Sequence, residues 1–133
     1  MTIAAQMQEL LRDDDRTSDE IAERYGCTRQ NISKIRRGET TCGTDLAAQY
    51  LADLGWQWKI RGAPFAGHPG EQLRAYLLAD SDRLPSLVRS EQIDDKTATL
   101  IKTRPRALRI LTIDRISSIL GITWITVEQE VVA

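Results

Sequence analysis

Residues 18–37 read Ser-Asp-Glu-Ile-Ala-Glu-Arg-Tyr-Gly-Cys-Thr-Arg-Gln-Asn-Ile-Ser-Lys-Ile-Arg-Arg, and this stretch predicts two short helices joined by a tight turn. Ile21 and Ala22 would form one buried face, and Ile32 and Ile35, three residues apart, would form the next. Gly26 lies between the two helices, where a sharp turn needs a positive φ angle. The stretch therefore predicts a helix-turn-helix unit.

The second of these helices carries a polar face suited to the major groove of DNA. Arginine can donate two hydrogen bonds to guanine, and glutamine can pair with adenine. The segment from Arg24 to Arg37 holds five basic residues and no acidic ones. A helix that is simply solvated would mix the two signs of charge more evenly. The pattern therefore favours one basic surface on a body whose formal net charge is −1.

The composition points to a globular protein of the cytoplasm without catalytic or metal chemistry. Hydrophobic residues make up 41% and charged residues 28% of the 133 residues, and no apolar run is long enough to cross a bilayer. The N-terminus lacks the features of a signal peptide, and we expect no membrane association. Cys27, Cys42 and His68 are too few ligands for a structural zinc site. We therefore expect neither a metal nor a cofactor, and no enzyme, because no catalytic constellation stands out.

The second half of the chain repeats the first at an offset of 66 residues. The pair Leu54-Gly55 falls on Leu120-Gly121, and Trp58 falls on Trp124. Three Gly and two Pro residues between positions 62 and 70 predict a linker between the two copies. We therefore predict a first unit over residues 1–61, a linker over 62–69 and a second unit over 70–133.

Each unit is predicted to contain helices and to end in a strand. Trp56–Ile60 and Ile122–Val127 alternate apolar and polar residues or are rich in β-branched ones. Pairing of these two strands would join the repeats, and the expected interface residues are Trp56, Trp58, Ile60, Ile122, Trp124 and Val127. Alternatively, each Trp lies in the core of its own repeat.

The first unit resembles the Cro/phage-repressor-type helix-turn-helix family, also described as xenobiotic-response-element-like (XRE-like) regulators. The resemblance rests on Ile21-Ala22, Gly26-Cys27 and Ile32-Ser-Lys-Ile35, and on the helix that leads to Leu54-Gly55. The strand after Leu54-Gly55 resembles the HipB-like branch of that family. The fold class that this implies is mainly α with short β-strands, in two tandem lambda-repressor-like helical units.

The resemblance also implies roles for individual residues. Side chains on the second helix are expected to read base edges: Arg29, Gln30, Asn31, Ser33 and Lys34. Residues at helix starts and in the loop after the second helix are expected to contact DNA phosphates: Thr17, Ser18, Thr28, Arg36, Arg37 and Thr40. The first unit would then be the head that reads DNA sequence.

The second repeat differs at the positions that would read DNA. Asp94 and Asp95 stand where the first unit has Thr28 and Arg29, and carboxylates would face phosphates if this helix entered a groove. We therefore predict a degenerate unit that serves assembly. A basic cluster follows, formed by Lys102, Arg104, Arg106 and Arg109. It could touch the DNA backbone or be a solvated loop, and the sequence favours neither.

These patterns favour a sequence-specific, DNA-binding transcriptional regulator that acts as a repressor on double-stranded DNA, as a homodimer. Two alternatives stay open. One is an antitoxin that binds a toxin through the second repeat and represses its own operon. The other is a DNA accessory factor of a phage or other mobile element, which would bind DNA without changing transcription.

Overall fold

The structure, a computed structural model, describes residues 2–129 of the 133-residue chain. These residues are mainly helical, with one small antiparallel sheet. The elements are α1 (Ile3–Arg12), α2 (Ser18–Tyr25), α3 (Arg29–Arg36), α4 (Thr44–Asp53), β1 (Trp56–Ile60), α5 (Pro69–Leu78), α6 (Arg83–Arg89), α7 (Asp95–Thr103), the 3-10 turn η1 (Pro105–Ala107), α8 (Ile110–Leu120) and β2 (Trp124–Glu128). The predicted fold class of helices with short strands is confirmed at this level. Residues 130–133, the end of the predicted second unit, lie outside the described part.

The two helices of the opening stretch form where local chemistry predicts them. The hydroxyl of Thr17 accepts a hydrogen bond from the Glu20 N–H, and the Glu20 carboxylate binds back to Thr17, so α2 begins in a capping box. Gly26 ends α2 with a φ of 68°, a left-handed conformation that glycine adopts without a steric penalty. The hydroxyl of Thr28 then caps α3 through the Asn31 N–H at 3.1 Å.

Strand β1 pairs with β2 in antiparallel orientation, so the sheet joins an early part of the chain to a late one. The register places Trp58 opposite Thr126 and Lys59 opposite Ile125. The outer edge of β1 is closed by the buried amide of Gln72 in α5. Its Nε2 donates to the Trp58 carbonyl at 2.6 Å, and its Oε1 accepts from the Ile60 N–H at 3.2 Å. Backbone groups that an edge strand would otherwise leave open are thereby satisfied.

One continuous core runs through both halves of the chain. Met7 of α1 and Leu77 of α5 are both buried without measurable exposure, and both belong to the same cluster of buried apolar residues. Trp58 and Trp124 also belong to this cluster, at 1% and 4% exposure. Burial of such large side chains is the main favourable contribution to folding, and here it links the two halves.

Polar contacts across the halves accompany this core. The carboxylate of Asp114 in α8 accepts hydrogen bonds from the backbone N–H groups of Ile3 and Ala4 at 2.9 and 3.0 Å. It therefore caps the first turn of α1 from the far end of the chain. The hydroxyl of Thr44 lies 3.3 and 3.1 Å from the carbonyls of Arg106 and Leu108.

The starts of two helices and of one strand follow from individual residues, and the strand start differs from the sequence-based prediction. Gly43 precedes α4 as its N-cap, and the hydroxyl of Thr44, the first residue of α4, contacts the other half of the chain. Helix α5 begins at Pro69, the last residue of the predicted linker, and proline suits the first position of a helix. Strand β2 begins at Trp124, not Ile122, because the Ile122 N–H closes the end of α8 on the Ser117 carbonyl at 2.8 Å. No helix within residues 2–129 is long and apolar enough to span a bilayer.

Candidate nucleic-acid interface

One face of helix α3 is apolar and packs on the core, and the opposite face is polar and exposed. Ile32 and Ile35 are 0% and 1% exposed, and they pack α3 on α1 and α2. Arg29, Gln30 and Lys34 are exposed on the remaining surface. The 3.6-residue period of the helix produces this division directly.

The exposed side chains of α3 share one depression on the surface. It is lined by Arg29, Gln30, Ser33, Lys34 and Arg37. Four of the five residues predicted to read bases therefore lie together, and the predicted phosphate contact Arg37 lies beside them. Asn31, the fifth, is half-buried and does not line this depression.

The two arginines of this surface have only exposed ionic partners. Arg29 Nε lies 3.9 Å from an Asp19 carboxylate oxygen, and both side chains are 70% exposed. Arg37 binds Glu39 at 3.0 Å, again in solvent, which raises the pKa of the guanidinium. Ion pairs exposed to solvent are weak, so these arginines can exchange partners at little cost.

Arg36 is predicted to bind a phosphate, but its guanidinium donates hydrogen bonds to groups of the protein itself. Its Nε donates to the Leu11 carbonyl at 2.8 Å, and its Nη2 donates to the carbonyls of Asp14 and Arg16 at 3.2 and 2.7 Å. Its Nη1 donates to the Ser18 hydroxyl at 3.2 Å. All these groups belong to α1, α2 and the loop between them. Arg36 therefore locks α3 to that loop, which is a structural role that the sequence-based prediction missed.

The same loop is held from its other side by a second polar network. The Asp14 carboxylate accepts hydrogen bonds from the Arg16 side chain at 2.8 and 3.1 Å and from the Tyr50 hydroxyl at 2.5 Å. The Arg16 contacts, more than any other, hold the pKa of Asp14 well below its usual range. Burial and the neighbouring carboxylate raise the pKa of Tyr50. The run of three aspartates resembles a solvated loop in sequence, and no local signal marks Asp14 or Tyr50 as partners.

The other predicted phosphate contacts occupy exposed or capping positions. Thr17 and Thr28 are exposed, but each hydroxyl accepts a backbone hydrogen bond as the cap of its own helix. Thr40 is exposed in the loop that follows α3. Ser18 is half-buried beneath the Arg36 guanidinium. Of this set, Arg37 and Thr40 therefore offer the most accessible side chains.

Helix α7, which the predicted 66-residue repeat aligns with α3, presents a different surface. The Asp94 carboxylate caps α7 through the Thr97 N–H at 2.7 Å, and these contacts hold the pKa of Asp94 below its usual value. Asp94 and Asp95 are both exposed, so the start of α7 carries two carboxylates in solvent. Ala98 and Ile101 form its buried stripe.

The basic cluster after α7 is partly neutralised. Arg106 Nε binds the Glu71 carboxylate at 2.5 Å, while Lys102, Arg104 and Arg109 are exposed. The ion pair with Glu71 lies in solvent, so it restrains Arg106 only weakly.

The predicted interface residues differ in burial. Trp58, Ile60 and Trp124 are buried, Ile122 and Val127 are half-buried, and Trp56 is 39% exposed at the end of β1. Trp124 Nε1 donates to the Ser117 hydroxyl at 2.9 Å, whereas the Trp58 Nε1 atom is buried without a hydrogen-bond partner.

Within residues 2–129, no group of three or more His, Cys, Asp or Glu side chains is arranged to hold a metal ion. Comparison with protein-family models, with curated proteins and with solved structures finds no match to this chain.

Proposed function

We propose that the protein is a sequence-specific DNA-binding transcriptional regulator that acts as a repressor and reads the major groove with α3. One observation carries this proposal: α3 exposes Arg29, Gln30, Lys34 and Arg37 on one continuous surface while its apolar stripe is buried. No carboxylate belongs to the helix itself. These are the side chains that form paired hydrogen bonds with guanine and adenine edges or neutralise phosphates.

We propose further that the chain is a tandem duplication, so that a single molecule contains two related helix-turn-helix units, one in each half. The element bounds support this idea, because α1 (Ile3–Arg12) and α5 (Pro69–Leu78) begin and end 66 residues apart. The contacts between halves are also reciprocal, since α1 packs on α8 and α5 packs on α4.

The register of the sheet supports the same proposal independently. A twofold relation between the strands would place opposite each other two residues separated by the repeat length. Within the ladder Lys59 lies opposite Ile125, which is 66 residues away, and the pairs on either side, Trp58–Thr126 and Ile60–Trp124, exchange under the same offset. The β1–β2 pair then corresponds to a pairing between repeats.

In this proposal α3 is the reading head and the second half serves assembly. The exposed carboxylates of Asp94 and Asp95 at the start of α7 would repel phosphates where α3 carries Thr28 and Arg29. Two chains bound as a homodimer could present two copies of α3 about 34 Å apart, or a multiple of that, on a palindromic operator.

Selection of bound sites from random double-stranded DNA by the full chain tests the proposal. We expect enrichment of one sequence. A palindrome would indicate two α3 heads from two chains, and a site with one conserved half would indicate a single head. Failure to enrich any sequence, under conditions where the protein is folded, would overturn the proposed function.

The exposed acidic start of α7 favours a second candidate, an antitoxin that holds a protein partner on the second half. In this case a tight partner should co-purify with the full chain. Reversal of charge in Asp95→Arg should weaken that complex, whereas Arg29→Ala should leave it intact. A complex that is weakened by Arg29→Ala and left intact by Asp95→Arg would count against the antitoxin.

A further inference from the structure

The loop that follows α3 and the loop that follows α7 lie side by side at a junction between the two halves. The Thr44 hydroxyl, at the end of the first loop, lies 3.3 and 3.1 Å from the carbonyls of Arg106 and Leu108 in the second. Together the two loops line a depression of about 450 Å³, with Thr40 on one side and Arg109 on the other. Arg109 of the second half therefore shares a surface with the loop after α3.

This junction adjoins the exposed surface of α3. Arg37 lines the depression over α3, and Thr40 follows it by three residues. Three residues of chain span at most about 11 Å. The major groove that would receive α3 is about 12 Å wide, so the backbone strands that border it would pass within reach of the junction.

The second loop carries cations without a counter-charge. Within residues 2–129, three exposed side chains of this region have no ionic partner: Lys102, Arg104 and Arg109. The two nearby carboxylates act on Arg106 instead, since Glu71, with a smaller effect of Asp45, raises the pKa of that guanidinium. Asp45 also lines the junction depression, where it accepts a hydrogen bond from His68 Nε2 at 3.0 Å. The surface around the other three cations is therefore positive.

The charge of Arg109 does not stabilise the helix that follows it. Arg109 is the N-cap residue of α8, and its side chain makes no capping hydrogen bond. A cation is unfavourable near a helix N-terminus, and the first turn of α8 has no acidic residue to offset it. In the predicted repeat, Arg104 and Arg109 align with Gly38 and Gly43, so the first half has no cation at either position. The charge of Arg109 is therefore available to an anion outside the chain.

The acidic start of α7 is too distant to cancel this attraction. Asp94 and Asp95 are exposed at that end of the helix, and α7 is nine residues long. Its two ends therefore lie about 12 Å apart, which exceeds the Debye length of about 8 Å at physiological ionic strength. One end of α7 repels phosphates, whereas the loop at its other end attracts them.

We propose that Arg104 and Arg109 bind phosphates of the same DNA duplex that α3 reads, an inference that rests on the proposed function. The second half then contributes to DNA affinity as well as to assembly. Because phosphates are the same in every sequence, these two contacts would add affinity and salt dependence but no discrimination between sites.

Fluorescence anisotropy of the full chain tests this proposal, with the site selected from random DNA and a scrambled duplex of equal length, between about 50 and 200 mM salt. The variant carries Arg104→Gln and Arg109→Gln, which replace two exposed side chains. We expect the slope of log affinity against log salt to fall by about two on both duplexes, at about 0.9 for each lost phosphate contact. The ratio of affinities for the two duplexes should stay unchanged.

The matched control carries Arg61→Gln and Arg89→Gln. These changes remove the same charge from two exposed arginines that line neither depression, and the salt slope should stay that of the parent chain. Circular dichroism checks that both variants are folded.

The outcomes separate this inference from the proposed function. An unchanged slope in the Arg104 and Arg109 variant, or an equal loss of slope in the control, would overturn the inference and leave the proposed function standing. Equal affinity of the parent chain for both duplexes would overturn the proposed function, while a loss of slope confined to the Arg104 and Arg109 variant would still support the phosphate contacts. Failure of the parent chain to bind either duplex would overturn both.

Discussion

The guanidinium of Arg36 donates from Nη1 to the hydroxyl of Ser18 at 3.2 Å, so two residues expected to bind phosphate bind each other. Arg36 also donates to three backbone carbonyls of α1 and the loop that follows it. A half-buried arginine that satisfies several carbonyls fixes the orientation of its helix, and here that helix is α3. The candidate reading surface therefore depends on Arg36 without containing it.

Replacement of Arg36 by alanine should destabilise the fold. The variant leaves the carbonyls of Leu11, Asp14 and Arg16 without these donors, and we expect the free energy of unfolding to fall by about 2–4 kcal/mol. Urea denaturation followed by circular dichroism measures it. The matched control is Arg37→Ala on the adjacent exposed residue, which should unfold at nearly the same urea concentration as the parent chain. Equal stability of the two variants would contradict the role assigned to Arg36.

Substitutions on α3 should separate base reading from phosphate binding, provided that the proposed function is correct. Arg29→Ala and Gln30→Ala should each reduce discrimination between selected and altered DNA sites by about 1–3 kcal/mol. Arg37→Ala should weaken binding to all sequences and reduce the slope against salt by about one. Fluorescence anisotropy at several salt concentrations measures both the discrimination between DNA sites and the salt dependence of binding. Asp94→Ala is the control on α7, and a loss of specificity as large as that of Arg29→Ala would contradict a single reading head.

Removal of the Asp114 carboxylate should loosen the two halves. Asp114→Ala leaves the buried N–H group of Ile3 and the partly buried N–H group of Ala4 without this acceptor, and we expect a loss of about 1–3 kcal/mol in the free energy of unfolding. Asp114→Asn keeps one acceptor oxygen and should lose less. Hydrogen exchange at the two amides checks the mechanism, since both should exchange faster in Asp114→Ala. Unchanged protection of these amides would show that α1 is capped in another way.

The two buried tryptophans should respond differently to the same substitution. Trp124→Phe removes an indole N–H that binds Ser117, whereas Trp58→Phe removes one that has no partner. We expect Trp124→Phe to cost about 1 kcal/mol more in the free energy of unfolding. Urea denaturation of both variants, repeated in a Ser117→Ala background, isolates the hydrogen bond. The extra cost should disappear in that background, and its persistence would assign it to packing instead.

Stability should fall on mild acidification because of His68. Burial, the largest effect, lowers the pKa of His68 below the ordinary value of 6.5, so the unfolded chain binds the proton more tightly than the folded one. The stabilisation is therefore complete above about pH 6.5 and is lost as the pH falls through the lowered pKa. Thermal unfolding between pH 7.5 and 5 measures this loss. His68 Nδ1 caps α5 by accepting the Gly70 N–H at 3.0 Å. His68→Asn keeps a side-chain acceptor at this position and should show a smaller change over that window, and an equal change would exclude His68 as the cause.

The parts of the fold that the sequence predicted correctly are those set by neighbours a few residues apart. The spacing of Ile32 and Ile35 identified the buried stripe of α3, and Thr17 and Thr28 identified where α2 and α3 begin. The candidate site followed from the same pattern, since residues opposite a buried stripe must face outward. A local error arose at Ile122, where the backbone N–H ends α8 on the Ser117 carbonyl instead of joining the strand.

The sequence by itself therefore determined the helix-turn-helix segment, its polar face and the positions of the two strands. Only the tertiary structure decided that Arg36 turns inward, that Asp114 caps α1 and that Gln72 closes the edge of β1. The physical reason is sequence separation. Helix periodicity and capping act within about four residues, whereas Asp114 and Ile3 lie 111 residues apart. Only the folded chain brings a donor and an acceptor at such a separation within hydrogen-bond distance.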